Sequence, residues 1–130
     1  TQDGVAMARL LVAEDDEAVR AFLEKAFELD GHEVHTAEDG AMALEVLATQ
    51  EGAFDLLLTD IQMPVMDGIA LALSTVRDYP RVPILLMTGY ANQRERAHGL
   101  ESLVEDVIMK PFSLADIRDA VGGVLNKRAA

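Results

Sequence analysis

Asp55-Leu56-Leu57-Leu58-Thr59-Asp60-Ile61-Gln62-Met63-Pro64-Val65-Met66-Asp67-Gly68 is the stretch that decides the fold. Its first six residues form an apolar run of strand length that ends in a single carboxylate, Asp60. Such a run, with no polar alternation, reads as a strand buried on both faces. Pro64 and Gly68 then punctuate a short loop. Open α/β sheets keep their chemistry outside the carboxyl ends of their strands. Asp60 is therefore the first candidate for a group that changes state.

Working outward, the same pattern recurs. Arg9–Ala13, Glu33–Ala37, Pro83–Thr88 and Val104–Met109 read as four more strands. Between them lie helical spacings. Val19, Phe22, Leu23, Ala26 and Phe27 form one apolar face, with Asp16 as a plausible N-cap and Gly31 as the stop. Asp39-Gly40 reads as a turn, and Ala41, Leu44, Leu47 and Ala48 as the face of a second helix. Ile69–Val76 reads as a third helix. Residues 91–101, polar with a thin apolar stripe, read as a mobile fourth. Ser113 with Asp116 resembles a capping box for a last helix that buries Leu114, Ile117, Val121 and Leu125. Gly122-Gly123 weakens that helix by about 1 kcal/mol per glycine relative to alanine. Strands and helices alternate five times, which implies a parallel sheet covered on both faces.

The 130 residues suit one domain with a real core. Thr1–Ala6 reads as a disordered leader, residues 7–126 as the domain and residues 127–130 as a tail. No apolar run approaches the roughly 18 residues of a membrane span, and no signal peptide is evident. The absence of cysteine excludes disulfides, cysteine nucleophiles and thiolate metal sites, and fits a cytoplasmic protein. A net charge of −12 disfavours nucleic-acid binding and suits a basic protein partner or a divalent cation.

Parallel strands bring their carboxyl ends to one edge. Glu14 and Asp15 follow the first strand, Asp60 ends the third, Thr88 the fourth, and Lys110 follows the fifth. Carboxylates gathered this closely repel unless a cation neutralises them. Oxygen donors without His or Cys suit Mg²⁺. A carboxylate beside such a metal can attack a phosphoryl donor and form an acyl phosphate. The metal, the Thr88 hydroxyl and the Lys110 ammonium would then meet the phosphoryl oxygens.

Each residue also has a plain structural reading. An acid pair after a strand often favours a helix N-terminus. A lone Asp at a strand end forms turns, a β-branched Thr belongs in a strand, and a Lys before Pro is usually solvated. The signal lies in their joint occurrence at the ends of the expected strands.

Glu14-Asp15, Asp60 with Met63-Pro64 and Asp67-Gly68, Thr88, and Lys110-Pro111-Phe112 together resemble the receiver domain of two-component response regulators. The resemblance spans nearly the whole chain. It implies a flavodoxin-like five-stranded parallel sheet of order 2-1-3-4-5, with helices on both faces. It implies that Asp60 accepts a phosphoryl group from a histidine kinase or a histidine phosphotransfer protein. Asp15, Asp60 and the Gln62 backbone carbonyl would ligate Mg²⁺, with Glu14 acting through a metal-bound water. Thr88 and Lys110 would contact the phosphoryl group, Gly89 would leave room for it, and the Lys110-Pro111 bond would be cis. Such a protein assists its own phosphotransfer and dephosphorylation and is not an enzyme in the ordinary sense.

One position departs from the family pattern. Many receivers carry an aromatic switch residue in strand five, and here Val107 stands there. Tyr90, two residues past Thr88, either replaces it or only packs the fourth helix onto the sheet. The expected output is a protein-binding surface on helix four, strand five and helix five, shifted by phosphorylation. Leu11–Asp16, Asp55–Ile61, Thr88-Gly89-Tyr90 and Lys110-Pro111-Phe112 look most like the stand-alone receivers of alphaproteobacterial cell-cycle control. Those act as adaptors for an AAA+ protease, and Ala129-Ala130 resembles a tail that such unfoldases recognise, or is a chance chain end. Alternatives are a phosphorelay intermediate, a non-phosphorylated receiver-like scaffold, and a phosphatase of the haloacid dehalogenase type. The last would want a second Asp at position 62, where Gln stands.

Overall fold

A computed structural model describes residues 7–129. The expected leader, Thr1–Ala6, and the terminal Ala130 lie outside the described residues. Five strands, β1 (Arg9–Ala13), β2 (Glu33–Ala37), β3 (Leu56–Asp60), β4 (Ile84–Thr88) and β5 (Asp106–Met109), alternate with five helices. These are α1 (Glu17–Leu29), α2 (Gly40–Thr49), α3 (Gly68–Asp78), α4 (Ala91–Ala97) and α5 (Leu114–Ala129). All strand pairs are parallel, and the sheet order is β2-β1-β3-β4-β5. This is the flavodoxin-like arrangement expected from the sequence.

The period of two in a strand divides the core. Leu10 and Val12 of β1, Leu56 and Leu58 of β3, and Leu85 and Met87 of β4 point to α1 and α5, where Leu23, Phe27, Ile117 and Val121 meet them. Leu11, Leu57, Ile84 and Leu86 point the other way, to Ala43 and Leu47 of α2 and Leu71 and Ala72 of α3. Both faces of β3 and β4 are therefore buried throughout. That is why these two strands read as unbroken apolar runs rather than as alternating ones.

Three aspartates start three helices. Asp16 accepts from the Ala18 and Val19 amides, Asp39 from Met42 and Asp67 from Ala70, each at 2.8–3.1 Å. Gly31, at φ 90°, follows the end of α1 in the left-handed region that a β-carbon disfavours. Ser113 and Asp116 form the reciprocal capping box expected for α5.

Several expectations need correction. Phe22 is 46% exposed and Leu114 40% exposed, so neither belongs to the core. On α2 the buried stripe is Gly40, Ala43 and Leu47, while Ala48 faces out. The cause lies at Gly40, whose amide donates to Met66 O at 3.0 Å and whose Cα leaves no room for a side chain there. That contact sets the rotation of the helix. α4 stops at Ala97 and tightens into one 3-10 turn, His98–Leu100, instead of running to 101. Ala97 is the only buried side chain among those described on α4, so packing does little to extend it. β5 begins at Asp106 rather than 104. α5 continues through both glycines to Ala129, three residues past the expected end of the domain.

Candidate functional site

Parallel register carries the strand ends to one edge. Asp60 pairs with Met87, and Thr88 with Met109, so the residues that leave the sheet next enter the same crevice. This open hollow of about 660 Å³ is lined by Glu14, Asp15, Asp60, Gln62, Gly89, Tyr90 and Lys110, with Phe22, Pro111 and Phe112 among its apolar wall.

Glu14 is almost fully buried, and both its carboxylate oxygens are used. Oε1 accepts from the Lys110 ammonium at 2.6 Å and Oε2 from the Asp16 amide at 3.1 Å. Lys110 Nζ also lies 3.4 Å from Asp60 Oδ2. Asp15 is exposed beside them. One carboxylate oxygen each from Glu14, Asp15 and Asp60 fall within 4.8 Å of one another.

The electrostatics follow from this crowding. Asp60 is 7% exposed, and its pKa is pushed up to about 6. Burial contributes most, the Glu14 charge next, and Lys110 opposes them. Burial works against the Lys110 ammonium, yet Glu14 and Asp60 outweigh it and raise its pKa. Glu14 and Asp60 thus share one ammonium, and Asp15 brings a third carboxylate beside them, a deficit of positive charge that a divalent cation would make good. The donor set is all oxygen, with an exposed member that can turn toward an ion, which fits hard Mg²⁺.

The loop after β3 is fixed at both ends. Ile61 N–H donates to Met87 O at 2.9 Å, and Gly68 N–H to Ile61 O at 2.8 Å. A β-carbon on Gly68 would stand 2.0 Å from the Asp60 carbonyl oxygen, so only glycine fits. Gln62 rides on this loop and is exposed at the crevice. The Lys110-Pro111 bond is cis, as expected.

Thr88 is buried at the end of β4, but its hydroxyl is engaged by the Tyr90 main chain. Oγ1 lies 3.3 Å from Tyr90 O and 3.2 Å from Tyr90 N. The Tyr90 side chain is 56% exposed at the crevice, so it does not pack α4 onto the sheet. Val107 is half-buried elsewhere, on a separate groove between α4 and β5 that Arg94, His98, Glu101 and Asp106 also line.

Sequence reasoning missed the parts played by Arg20 and Arg96, named Asp67 without its role, and placed Phe22 in the core. Arg20 Nη1 donates to the Glu14 carbonyl at 2.8 Å, holding the loop that carries the acid pair. Asp67 both caps α3 and accepts from Arg96 Nη2 of α4 at 2.8 Å. Phe22 walls the crevice instead of the core. An Asp three residues before a helical amide is a readable cap signal; nothing local signals the two arginine contacts.

Known proteins are similar to this chain in sequence and fold. Residues 10–122 match the response regulator receiver domain. The response regulator receiver protein CpdR of Brucella abortus is 41% identical over 119 residues, 92% of this chain and 98% of that protein. The transcriptional regulatory protein PrrA of Mycobacterium tuberculosis is 36% identical over 127 residues, 98% of this chain and 54% of that protein. The chain thus spans about half the length of the PrrA relatives it matches. Among solved structures, a receiver domain protein from Clostridium thermocellum superposes with a TM-score of 0.86 at 21% identity, covering 95% of this chain and 98% of that one, a likeness of fold. The response regulator TrrA of Thermotoga maritima, solved in complex with Mg²⁺ and BeF, gives 0.79 at 27% identity, covering 91% and 99%.

Proposed function

The chain belongs to the response regulator receiver family, and from that premise we propose that Asp60 accepts a phosphoryl group from a histidine kinase or a histidine phosphotransfer protein. The observation that carries this reading is the convergence of Glu14, Asp15 and Asp60 within 4.8 Å, beside a single ammonium. In the transfer an Asp60 carboxylate oxygen forms a bond to phosphorus as the bond from phosphorus to the donor imidazole nitrogen breaks. The electron pair stays with the imidazole, which takes up a proton. Bound Mg²⁺ supplies charge neutralisation for the phosphoryl oxygens and a template for in-line attack.

Asp15 and Asp60 would hold that ion with the Gln62 carbonyl, and Glu14 would act through a water. Lys110, already between Glu14 and Asp60, moves onto a phosphoryl oxygen. Thr88 gives up the Tyr90 main chain and donates its hydroxyl to another. Tyr90 is the N-cap of α4 and offers no side-chain cap bond. Releasing its main chain therefore loosens the start of a helix that buries little. Tyr90 takes the part of the missing aromatic at Val107, and the surface of α4, β5 and α5 changes for a protein partner. The crevice wall of Phe22, Pro111 and Phe112 suits a protein donor, since such a surface gains from covering. The molecule is a signalling phosphoacceptor, not a turnover enzyme.

As a finer reading we propose that the output is adaptor binding to an AAA+ protease, as the resemblance to stand-alone receivers implies; the likeness to the receiver protein CpdR is consistent with it. No helix among the described residues is long and apolar enough to cross a membrane. The test is incubation with Mg²⁺ and acetyl phosphate. An acid-stable, base-labile phosphoryl adduct is expected on wild type and not on Asp60→Ala. No adduct on wild type would overturn the reading and favour a scaffold. A pull-down with the two proteins then shows which state the partner prefers, and return of the phosphoryl group to a second histidine protein would mark a relay.

A further inference from the structure

The loop from Ile61 to Asp67 carries Gln62 at the crevice, and only its ends are fixed by the sheet. Its middle is under strain. Met66 N–H donates to Pro64 O at 2.7 Å, closing a three-residue turn around Val65, whose φ is 68°. That is the strained hand of the γ-turn. The loop has two supports outside the sheet: Met66 O accepts from the Gly40 amide of α2 at 3.0 Å, and Asp67 reaches α4.

Asp67 supplies the support that reaches α4. Its Oδ1 accepts the Ala70 amide at 2.9 Å, and its Oδ2 accepts from Arg96 Nη2 at 2.8 Å. The Asp67 carboxylate is therefore shared between the start of α3 and the body of α4. Burial works to raise its pKa, but the Ala70 amide and Arg96 outweigh this and hold it below the usual carboxylate range. α4 buries only Ala97 among its described side chains, so this half-exposed ion pair adds to the little packing that seats the helix.

We propose that Arg96 is a positioning residue for the phosphoacceptor loop, tying the seat of α4 to the Mg²⁺ affinity of the crevice through Asp67. The tie is reciprocal. Whatever a bound ion gains from the ordered loop, a seated α4 gains in return, and a partner that displaces α4 weakens the ion site. This rests on the reading of Asp60 as a metal-dependent phosphoacceptor. The pair is half-exposed, 48% at Arg96 and 29% at Asp67, so the coupling is modest and falls with ionic strength.

The experiment measures Mg²⁺ dissociation constants by NMR titration of the unphosphorylated protein, with hydrogen exchange of the amides at 61–68. Wild type, Arg96→Gln, Arg96→Lys, Asp67→Asn and the Arg96→Gln/Asp67→Asn double variant are compared. Asparagine still caps a helix, so Asp67→Asn removes the ion pair and spares α3. Arg96→Gln weakens Mg²⁺ binding about two- to fivefold, the span an ion pair of this exposure supports, and speeds exchange in the loop. Arg96→Lys recovers most of both, Asp67→Asn matches Arg96→Gln, and the double variant loses no more than either. High salt erases the difference. Unchanged Mg²⁺ affinity and exchange in Arg96→Gln, or losses that simply add in the double variant, would overturn the proposal. If wild type itself binds no Mg²⁺, the phosphoacceptor reading fails, and the exchange data still decide whether Arg96 orders the loop.

Discussion

Lys110 donates to Glu14 Oε1 at 2.6 Å across 96 positions of sequence. The contact joins the end of β1 to the end of β5, and it leaves Asp60 as the more distant acceptor at 3.4 Å. In this arrangement the ammonium serves mainly to neutralise a buried glutamate. Lys110→Met should destabilise this state by about 2–3 kcal/mol at neutral pH, because Glu14 is left buried and unpaired. Mg²⁺ should recover much of the loss. Urea denaturation with and without the ion checks both. A variant as stable as wild type without Mg²⁺ would show that Glu14 finds another partner.

Asp60 sets a pH dependence with a definite sign. Its folded pKa of about 6 stands above the ordinary 3.8, so the folded protein binds this proton more tightly than the unfolded chain does. The ionised form, present at neutral pH, is the destabilising one. The metal-free protein should therefore gain stability as pH falls through about 6, with the gain complete below 3.8. Asp60→Asn removes the charge and should be more stable than wild type at neutral pH by on the order of 1–3 kcal/mol. The two stabilities should converge on acidification. Urea midpoints across this pH range are the measurement, and parallel profiles would rule the account out. Mg²⁺ should stabilise wild type more than Asp60→Asn.

The sheet was legible because its central strands are buried on both faces, and apolar runs such as Leu56–Leu58 and Ile84–Met87 have no other economical reading. The crevice was legible for a topological reason. Parallel strands must end together, so Glu14, Asp15, Asp60 and Lys110 had to converge. Helix faces were less so. Phe22 and Ala48 fit an apolar period yet lie outside the core: Phe22 lines the crevice, and Ala48 faces out because the distant contact of Gly40 with Met66 sets the rotation of α2. Rotamers and tertiary ion pairs were not legible at all. Nothing in the local sequence says that the Thr88 hydroxyl meets the Tyr90 main chain, or that Arg96 reaches back 29 residues to Asp67.

Glycines separate into two kinds here, and opposite outcomes follow. At Gly68 a β-carbon would lie 2.0 Å from the Asp60 carbonyl oxygen and 2.9 Å from Ile61 Cα, both backbone atoms that cannot swing aside. Gly68→Ala should cost at least about 2 kcal/mol and should also weaken Mg²⁺ binding, since the displaced backbone belongs to Asp60 itself. Gly123, exposed within α5, has nothing within 4 Å of the same added atom. Gly123→Ala should stabilise by about 0.5–1 kcal/mol through helix propensity alone, leaving ion binding untouched. Thermal unfolding of both variants, with Mg²⁺ titrations, makes the comparison.

Val65 tests whether the strain in the crevice loop is stored or relieved. It is 84% exposed, so its side chain contributes little packing, yet its backbone sits at φ 68° with a β-branched residue in place of glycine. Strain of this kind costs of order 1–3 kcal/mol. Glycine removes it but frees the unfolded chain, which offsets up to about 1 kcal/mol. Val65→Gly should therefore stabilise the protein by on the order of 1 kcal/mol, measured by urea denaturation. Val65→Ala should gain less, since it keeps the β-carbon and loses only the branching. If both variants are less stable than wild type, Val65 is supported by contacts that its exposure does not reveal. If Val65→Gly is more stable but binds Mg²⁺ less tightly, the strained turn is part of how the loop presents Gln62 to the crevice.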